Sequence, residues 1–172
     1  MEFTIDRDSF LKTLSHATGI IERKTTLPIL SNILIEAKNS KIKITATDLD
    51  MVYFEEIAPQ ELKKEGVTTT SASTLHDILR KLQSNIKVEL SLQSSNKLKL
   101  IAGNSKFNLL CLPPDNFPLS DENIEQKKFD VSSKKLLRLL NKSKISISND
   151  ETRHYLNGIY LHKTKLENKS FL

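Results

Sequence analysis

A single cysteine, Cys111, stands in 172 residues, so no internal disulfide framework can exist and a reducing compartment is compatible with the chain. Only 4 glycines occur, and none builds a glycine-rich phosphate loop. No run approaches the roughly 18 apolar residues that a membrane-spanning helix needs. Met1-Glu2-Phe3-Thr4-Ile5-Asp6 lacks a signal-peptide pattern and reads directly as a strand, so cytoplasmic residence and no membrane partner are expected. The four histidines, His16, His76, His154 and His162, have no ligand spacing, and no cofactor or metal is expected. No Ser-His-Asp arrangement can be assembled. These absences point to a binding protein rather than an enzyme.

What is present is a repeat. Shifting the chain by 126 positions lays Phe3 on Phe129, Ile5 on Val131, Phe10 on Leu136, Leu11 on Leu137 and Leu14 on Leu140. Ile21 then meets Ile147, Leu30 meets Leu156, and Ile33 meets Ile159. On this register Leu172 lies over Ala46 of the first copy, which reads as one complete domain and about a third of a second. The expected division is a first domain over residues 1–115, a linker over 116–127 and the start of a second domain over 128–172.

The periodicities predict an α+β fold, with antiparallel sheets covered by two helices in each repeat. Strands are expected at 2–5, 29–37, 41–47, 51–57, 87–92, 97–102, 106–111, 128–131 and 156–162. Helices are expected from Arg7 to about Ile21, from Thr74 to Gln83 capped by Ser71 or Ser73, and from Ser132 or Ser133 to about Ser143. Ile33-Leu34-Ile35 is apolar on both faces and is expected at the centre of a sheet. Gly103-Asn104 is the stronger of two hairpin signals.

The three helices share a habit. Leucine and isoleucine face inward: Leu75, Ile78, Leu79 and Leu82 in the second, Leu136, Leu137 and Leu140 in the third. Lysine and arginine face outward: Lys12, Arg80, Lys81, Lys134, Arg138 and Lys142. Solvated helix faces are commonly charged, so one such helix says little. Three, in a chain of net charge +5, favour a surface that meets phosphate without reading sequence.

Asp48-Leu49-Asp50 with Glu55-Glu56 raises a metal-dependent nuclease as an alternative, against a plain strand corner held by aspartate side chains. A stand-alone basic nucleic-acid-binding module is the other alternative. Cys111, beside Leu109 and Leu110, is expected to be a packed thiol. In Arg153-His154-Tyr155-Leu156-Asn157-Gly158 a cation and two rings precede an apolar position; Tyr155 either stacks on a ligand or packs on a sheet.

Thr26-Leu27-Pro28-Ile29-Leu30-Ser31-Asn32, Thr45-Ala46-Thr47-Asp48-Leu49-Asp50-Met51 and Arg153-His154-Tyr155-Leu156-Asn157-Gly158 closely resemble the bacterial DNA polymerase III β sliding clamp family. The resemblance implies the DNA clamp fold and a non-catalytic processivity factor. It implies a head-to-tail homodimeric ring around double-stranded DNA, with DNA polymerase III and the clamp loader as partners. On the family pattern Lys24, His154 and Tyr155 are DNA contacts, with Arg23, Lys12, Arg80 and Arg153 as further cations. Ser73 and Asp150 replace a basic residue and a glutamine of the family, and Asp150 would repel phosphate. Lys106, Phe107 and Leu109 match the dimer edge, and Tyr155 with Leu156 match part of the partner-peptide groove. The family continues into a Thr-Asp-Gly-His-Arg segment and a third domain. Without them the chain is expected not to close a ring, and the helix of the second repeat is expected to be partly bare.

Overall fold

The computed structural model describes residues 1–21, 27–94, 96–118, 130–150, 152–162, 164–166 and 169–171; for Ser94, His154 and the last two strands it describes the backbone alone. The chain forms two compact units, Met1–Glu122 and Asn123–Leu172.

In the first unit, alternating apolar residues open strand β1, Glu2–Asp6. Asp6 then stops the strand by capping helix α1, Arg7–Ala17, its carboxylate accepting from the Ser9 amide at 2.9 Å. The predicted helix is one turn too long, because Thr18 to Ile20 continue only as turns. A 3-10 turn at Pro28–Ser31 replaces the expected start of a strand. Proline lacks the amide a ladder needs, so β2 begins at Asn32 and ends at Lys38. Strands β3, Lys41–Thr47, and β4, Val52–Ile57, follow as a meander. Strands β5, Glu61–Lys64, and β6, Gly66–Ser71, were not expected from the sequence. Their lysines and threonines give little apolar alternation.

Helix α2, Ala72–Lys81, is capped by Ser71, whose hydroxyl accepts from the Thr74 amide at 3.3 Å. Strands β7, Lys87–Ser94, β8, Lys97–Ala102, and β9, Ser105–Leu110, complete the unit. Gly103 turns β8 into β9 at a φ of 55°, where a side chain would be strained.

Two antiparallel sheets result, in the orders β5-β1-β7-β8-β9 and β4-β3-β2-β6. β2 is interior to its sheet, and Ile33, Leu34 and Ile35 are all buried, as their unbroken apolar run requires. One core joins both sheets to both helices through Phe3, Phe10, Leu14, Ile44, Leu75, Leu79, Leu90 and Leu100. Each such side chain, withdrawn from water, contributes about 1.5–3 kcal/mol. Cys111 is a buried free thiol, and burial pushes its pKa up. Asp48 is a corner residue: its carboxylate accepts from the Asp50 and Met51 amides at 3.1 and 2.7 Å.

The second unit departs further from expectation. Helix α3, Ser133–Ser143, occupies its predicted span. Asp130 and Val131 are not strand, and the strand expected at 156–162 is absent: His154–Leu156 is a 3-10 turn and Asn157 to His162 are irregular. The described strands of this unit are a hairpin, β10, Thr164–Leu166, and β11, Lys169–Phe171. The inward placement of Leu137 and Leu140 is overturned as well. Leu137 is 60% exposed and Leu140 36%, and Leu136 is half-buried. The helix has its amphipathic pattern, yet nothing among the described residues buries its apolar stripe as β3 and α2 bury that of α1.

Candidate nucleic-acid interface

The two helices of the first unit form one layer. Arg7, the first residue of α1, reaches the last turn of α2, and Ser15 Oγ lies 3.3 Å from His76 Nε2 near the start of α2. The contacts therefore run in opposite sequence order along the two helices. Phe10, Leu14 and Ala17 of α1 and Ala72, Leu75 and Leu79 of α2 turn into the core. Lys12, Ser15 and His16 of α1, and Ser73, Asp77, Arg80 and Lys81 of α2, are left exposed.

An open groove of 640 Å³ runs along this layer, lined by Thr18, Ile21, Ser71, Ser73, His76 and Arg80 among others. It brings Ser73 and Arg80 to one place. Lys12 is exposed on α1 but does not line it. Arg80 is ion-paired with Asp77 at 3.2 Å, both half open to water, so the pair is weak and the guanidinium can exchange it for another anion. The hydroxyls of Ser71 and Thr74 lie 3.0 Å apart at the helix start, and those of Ser71 and Ser73 lie 3.3 Å apart. Arg23 and Lys24 lie outside the described residues.

A second polar cluster flanks the layer. Tyr53 Oη donates to the Glu55 carboxylate, which also stands 3.4 Å from His16 Nδ1. The tyrosine hydrogen bond, with lesser help from His16 and Thr13, holds the Glu55 carboxyl below its ordinary value. Loss of hydration and the same carboxylate push the Tyr53 phenol well above its own. Glu55 is therefore a fixed negative charge beside α1. Sequence reasoning missed this grouping because His16 lies 37 and 39 residues from Tyr53 and Glu55, joined to them by the packing of β4 on α1.

In the second unit, hydrogen bonds tie Ser148 and Asp150 to residues 152–157. Ser148 donates its amide to the Leu156 carbonyl at 3.0 Å. The Asn157 amide nitrogen, in the orientation its neighbours demand, donates to the Ser148 carbonyl at 3.0 Å. Asp150 accepts from the amide and hydroxyl of Thr152, at 3.0 and 2.6 Å, and these bonds lower its pKa. Its other oxygen lies 3.5 Å from Arg153 Nε. The Asp150 carboxylate thus has a basic neighbour, Arg153, within its own loop.

The loop presents Tyr155 at 82% exposure and Leu156 at 43%, so Tyr155 is not packed on a sheet. Tyr160 and His162 form a further exposed ring pair with centroids 5.1 Å apart, which the sequence reading did not single out. Of the edge residues, Leu109 is in the core at 4% exposure and Phe107 is half-buried against it. The apolar side chain that this edge offers to solvent is Leu110, at 77%.

Among the described residues no group of three acidic, histidine or cysteine side chains could hold a metal ion. None of the described helices is long and apolar enough to cross a membrane.

Comparison with known proteins gives this surface its context. The family profile described as "DNA polymerase III beta subunit, N-terminal domain" matches residues 1–121. A beta sliding clamp of Caulobacter vibrioides is 40% identical over 163 residues, covering 94% of this chain and 44% of that protein. The beta sliding clamp of Pseudomonas aeruginosa is 32% identical over 161 residues, with the same two coverages. Among solved structures, "Caulobacter crescentus pol III beta" superposes with a TM-score of 0.90 at 38% identity, over 99% of this chain and 45% of that one. The DNA polymerase III subunit beta from Pseudomonas aeruginosa gives 0.84 at 32% identity, over 92% and 42%. The chain thus spans less than half the length of the relatives it matches. A profile match over most of the chain, with the same fold at these identities, places it in one family: the chain belongs to the DNA polymerase III beta subunit, or beta sliding clamp, family.

Proposed function

We propose that the chain serves as part of a sliding clamp, a non-catalytic ring that encircles double-stranded DNA and holds DNA polymerase III on its template. The observation that carries this reading is the α1–α2 layer: its apolar sides are buried in the core, while Lys12, Arg80 and Lys81 stand out in water. Basic side chains on a stiff layer meet phosphates with similar energy at every base pair, so the protein can slide. On the family pattern Tyr155, Arg153, His154, Lys24 and Arg23 are further contacts to the DNA backbone. Retention comes from encirclement, so a head-to-tail homodimer and a clamp loader are partners of the complete assembly. The β9 edge at Lys106 to Leu109 is the subunit contact, and Tyr155 with Leu156 begin the groove for partner peptides. The domain division is 1–115, 116–127 and 128–172.

Binding to a short linear duplex tests the proposal. Weak, sequence-independent, strongly salt-dependent binding is expected. Tight, salt-resistant binding by the single chain would favour a stand-alone module. Metal-dependent cleavage of DNA, lost in Asp48→Ala, would favour a nuclease; the use of the Asp48 carboxylate in its own turn speaks against that.

A further inference from the structure

Leu30, Leu34 and Phe117 are buried, yet they stand apart from the main core of the first unit. Leu34 lies on the face of β2 opposite Ile33 and Ile35. Beside Leu30 runs an open groove of 460 Å³, a volume within the range of ligand pockets. Its walls include Leu27, Ile29, Leu30, Leu49 and Leu112, and its one polar side chain among the described residues is Asn116. Local hydrogen bonds set these walls. Ser31 Oγ donates to the Pro28 carbonyl at 2.7 Å, and the Leu30 amide to the Leu27 carbonyl at 3.0 Å. Leu112 donates its amide to Thr69 Oγ1 at 3.2 Å, and that hydroxyl donates to the Leu112 carbonyl at 2.8 Å. Leu49 is the outlier. Its φ is 82°, in the left-handed region where a bulky side chain is strained and glycine or asparagine is at ease. It is also 57% exposed. The turn itself is closed by Thr47 and Asp48, so neither the strain nor the exposure of Leu49 serves it. Strained residues gather at ligand clamps.

We infer that this groove docks a short extended peptide of a partner protein, one that carries apolar side chains with a lysine or arginine beside them. The walls take the apolar side chains, and the Asn116 carboxamide, at once donor and acceptor, suits a peptide group. The charge of the rim selects the cation. Among the described residues, the charged ones in the segments that build the groove, 27–32, 47–51 and 111–118, are Asp48, Asp50 and Asp115, all acids. Asp48 is engaged in its own turn, which leaves Asp50 and Asp115, both exposed. The same acids repel phosphate, so DNA is not the occupant. The 126-residue shift lays Leu27 and Pro28 on Arg153 and His154. Where the second repeat is basic the first is apolar, so the two repeats suit ligands of different charge. Two of the three segments that carry the family resemblance, Thr26 to Asn32 and Thr45 to Met51, contribute walls here, and the DNA reading uses neither. Docking at this groove needs neither a ring nor DNA, and so goes beyond the clamp reading.

Fluorescence anisotropy of the full chain with a labelled peptide, Leu-Thr-Phe-Lys-Lys, tests it, because alternate residues of an extended peptide share one face. Saturable binding is expected. Asp50→Asn should weaken it about threefold and leave the binding of Leu-Thr-Phe-Ser-Ser unchanged. Leu49→Asn should weaken it about tenfold, because an apolar wall is lost. Asparagine accepts the left-handed φ, so this variant should unfold at the same or a higher urea concentration than the wild type. In the isotope-labelled wild-type chain, amide resonances of Ile29, Leu30, Leu49, Leu112 and Asn116 should move on titration with the peptide, a readout that does not depend on any variant. Absence of saturable binding would overturn the inference. So would equal binding of Leu-Thr-Phe-Glu-Glu, resonance shifts confined to Tyr155 and Leu156, or a folded Leu49→Asn chain that binds as the wild type does. Each of these outcomes would leave the DNA reading untouched.

Discussion

The guanidinium of Arg7 donates from Nε to the carbonyl of Leu79 at 2.6 Å, tying the first residue of one helix to the end of the other. Its Nη2 donates to the Arg80 carbonyl at 3.0 Å, and Nη1 pairs with Asp8 at 2.6 Å. Asp8 in turn accepts the Asn85 amide at 2.8 Å, in the turn that leads to β7. The last carbonyls of a helix lack intrahelical donors, and a cation at that end also meets the negative pole of the helix. A buried charge is thereby matched by three acceptors, and the basic layer is held as one body.

Arg7→Ala should cost about 2–4 kcal/mol of stability, since it strips partners from buried carbonyls and leaves a cavity. Arg7→Lys should recover only part, because an ammonium cannot span two carbonyls and Asp8 in a plane. Urea unfolding followed by circular dichroism measures both; a change below the error of the midpoint would show that the lock is idle.

Repeat-related leucines should behave differently. Leu14 is fully buried and Leu140 is 36% exposed, although the 126-residue shift superposes them. Leu14→Ala should destabilise by about 2–5 kcal/mol, and Leu140→Ala by less than about 1 kcal/mol. Equal losses in unfolding experiments would mean that the α3 stripe is covered in solution.

The Tyr53 hydrogen bond should make Glu55 a source of acid sensitivity. The folded pKa of Glu55 lies below the ordinary glutamate value of 4.5, so its stabilising contribution is complete above that pH and is lost as the pH falls through the folded value. Tyr53→Phe should raise the Glu55 pKa and flatten the fall in stability below pH 4.5. Carboxyl resonances followed by NMR titration check the shift; an unmoved Glu55 would assign the effect elsewhere.

Charge reversal on the helix layer should act through salt. If Lys12 and Arg80 each meet one phosphate, Lys12→Glu and Arg80→Glu should each lower the slope of log affinity against log salt by about 0.9. Fluorescence anisotropy with a labelled duplex at several salt concentrations reads the slope. An equal loss of affinity at every salt concentration would point to misfolding rather than to lost phosphate contacts.

The residue pattern by itself settles most of the first unit. Asp6 and Ser71 announce the helix starts through their own hydrogen bonds, and Gly103 announces a turn, because these signals act over two or three residues. The inward stripes of α1 and α2, and the central place of Ile33 to Ile35, follow from periodicity alone. The outward basic residues follow in the same way, as does the family, from three motifs. Strands β5 and β6 were illegible because they are short and polar and exist only through pairing with β1 and β2. Tertiary structure alone decided the Tyr53–Glu55–His16 cluster, the Arg7 lock, and the burial of Leu109 behind an exposed Leu110. It also decided that Leu137 and Leu140 of α3, the counterparts of the inward stripe of α1, are exposed. The reason is physical: an amphipathic pattern states which side of a helix prefers to leave water, but burial needs a second surface, and only the fold determines whether one is there.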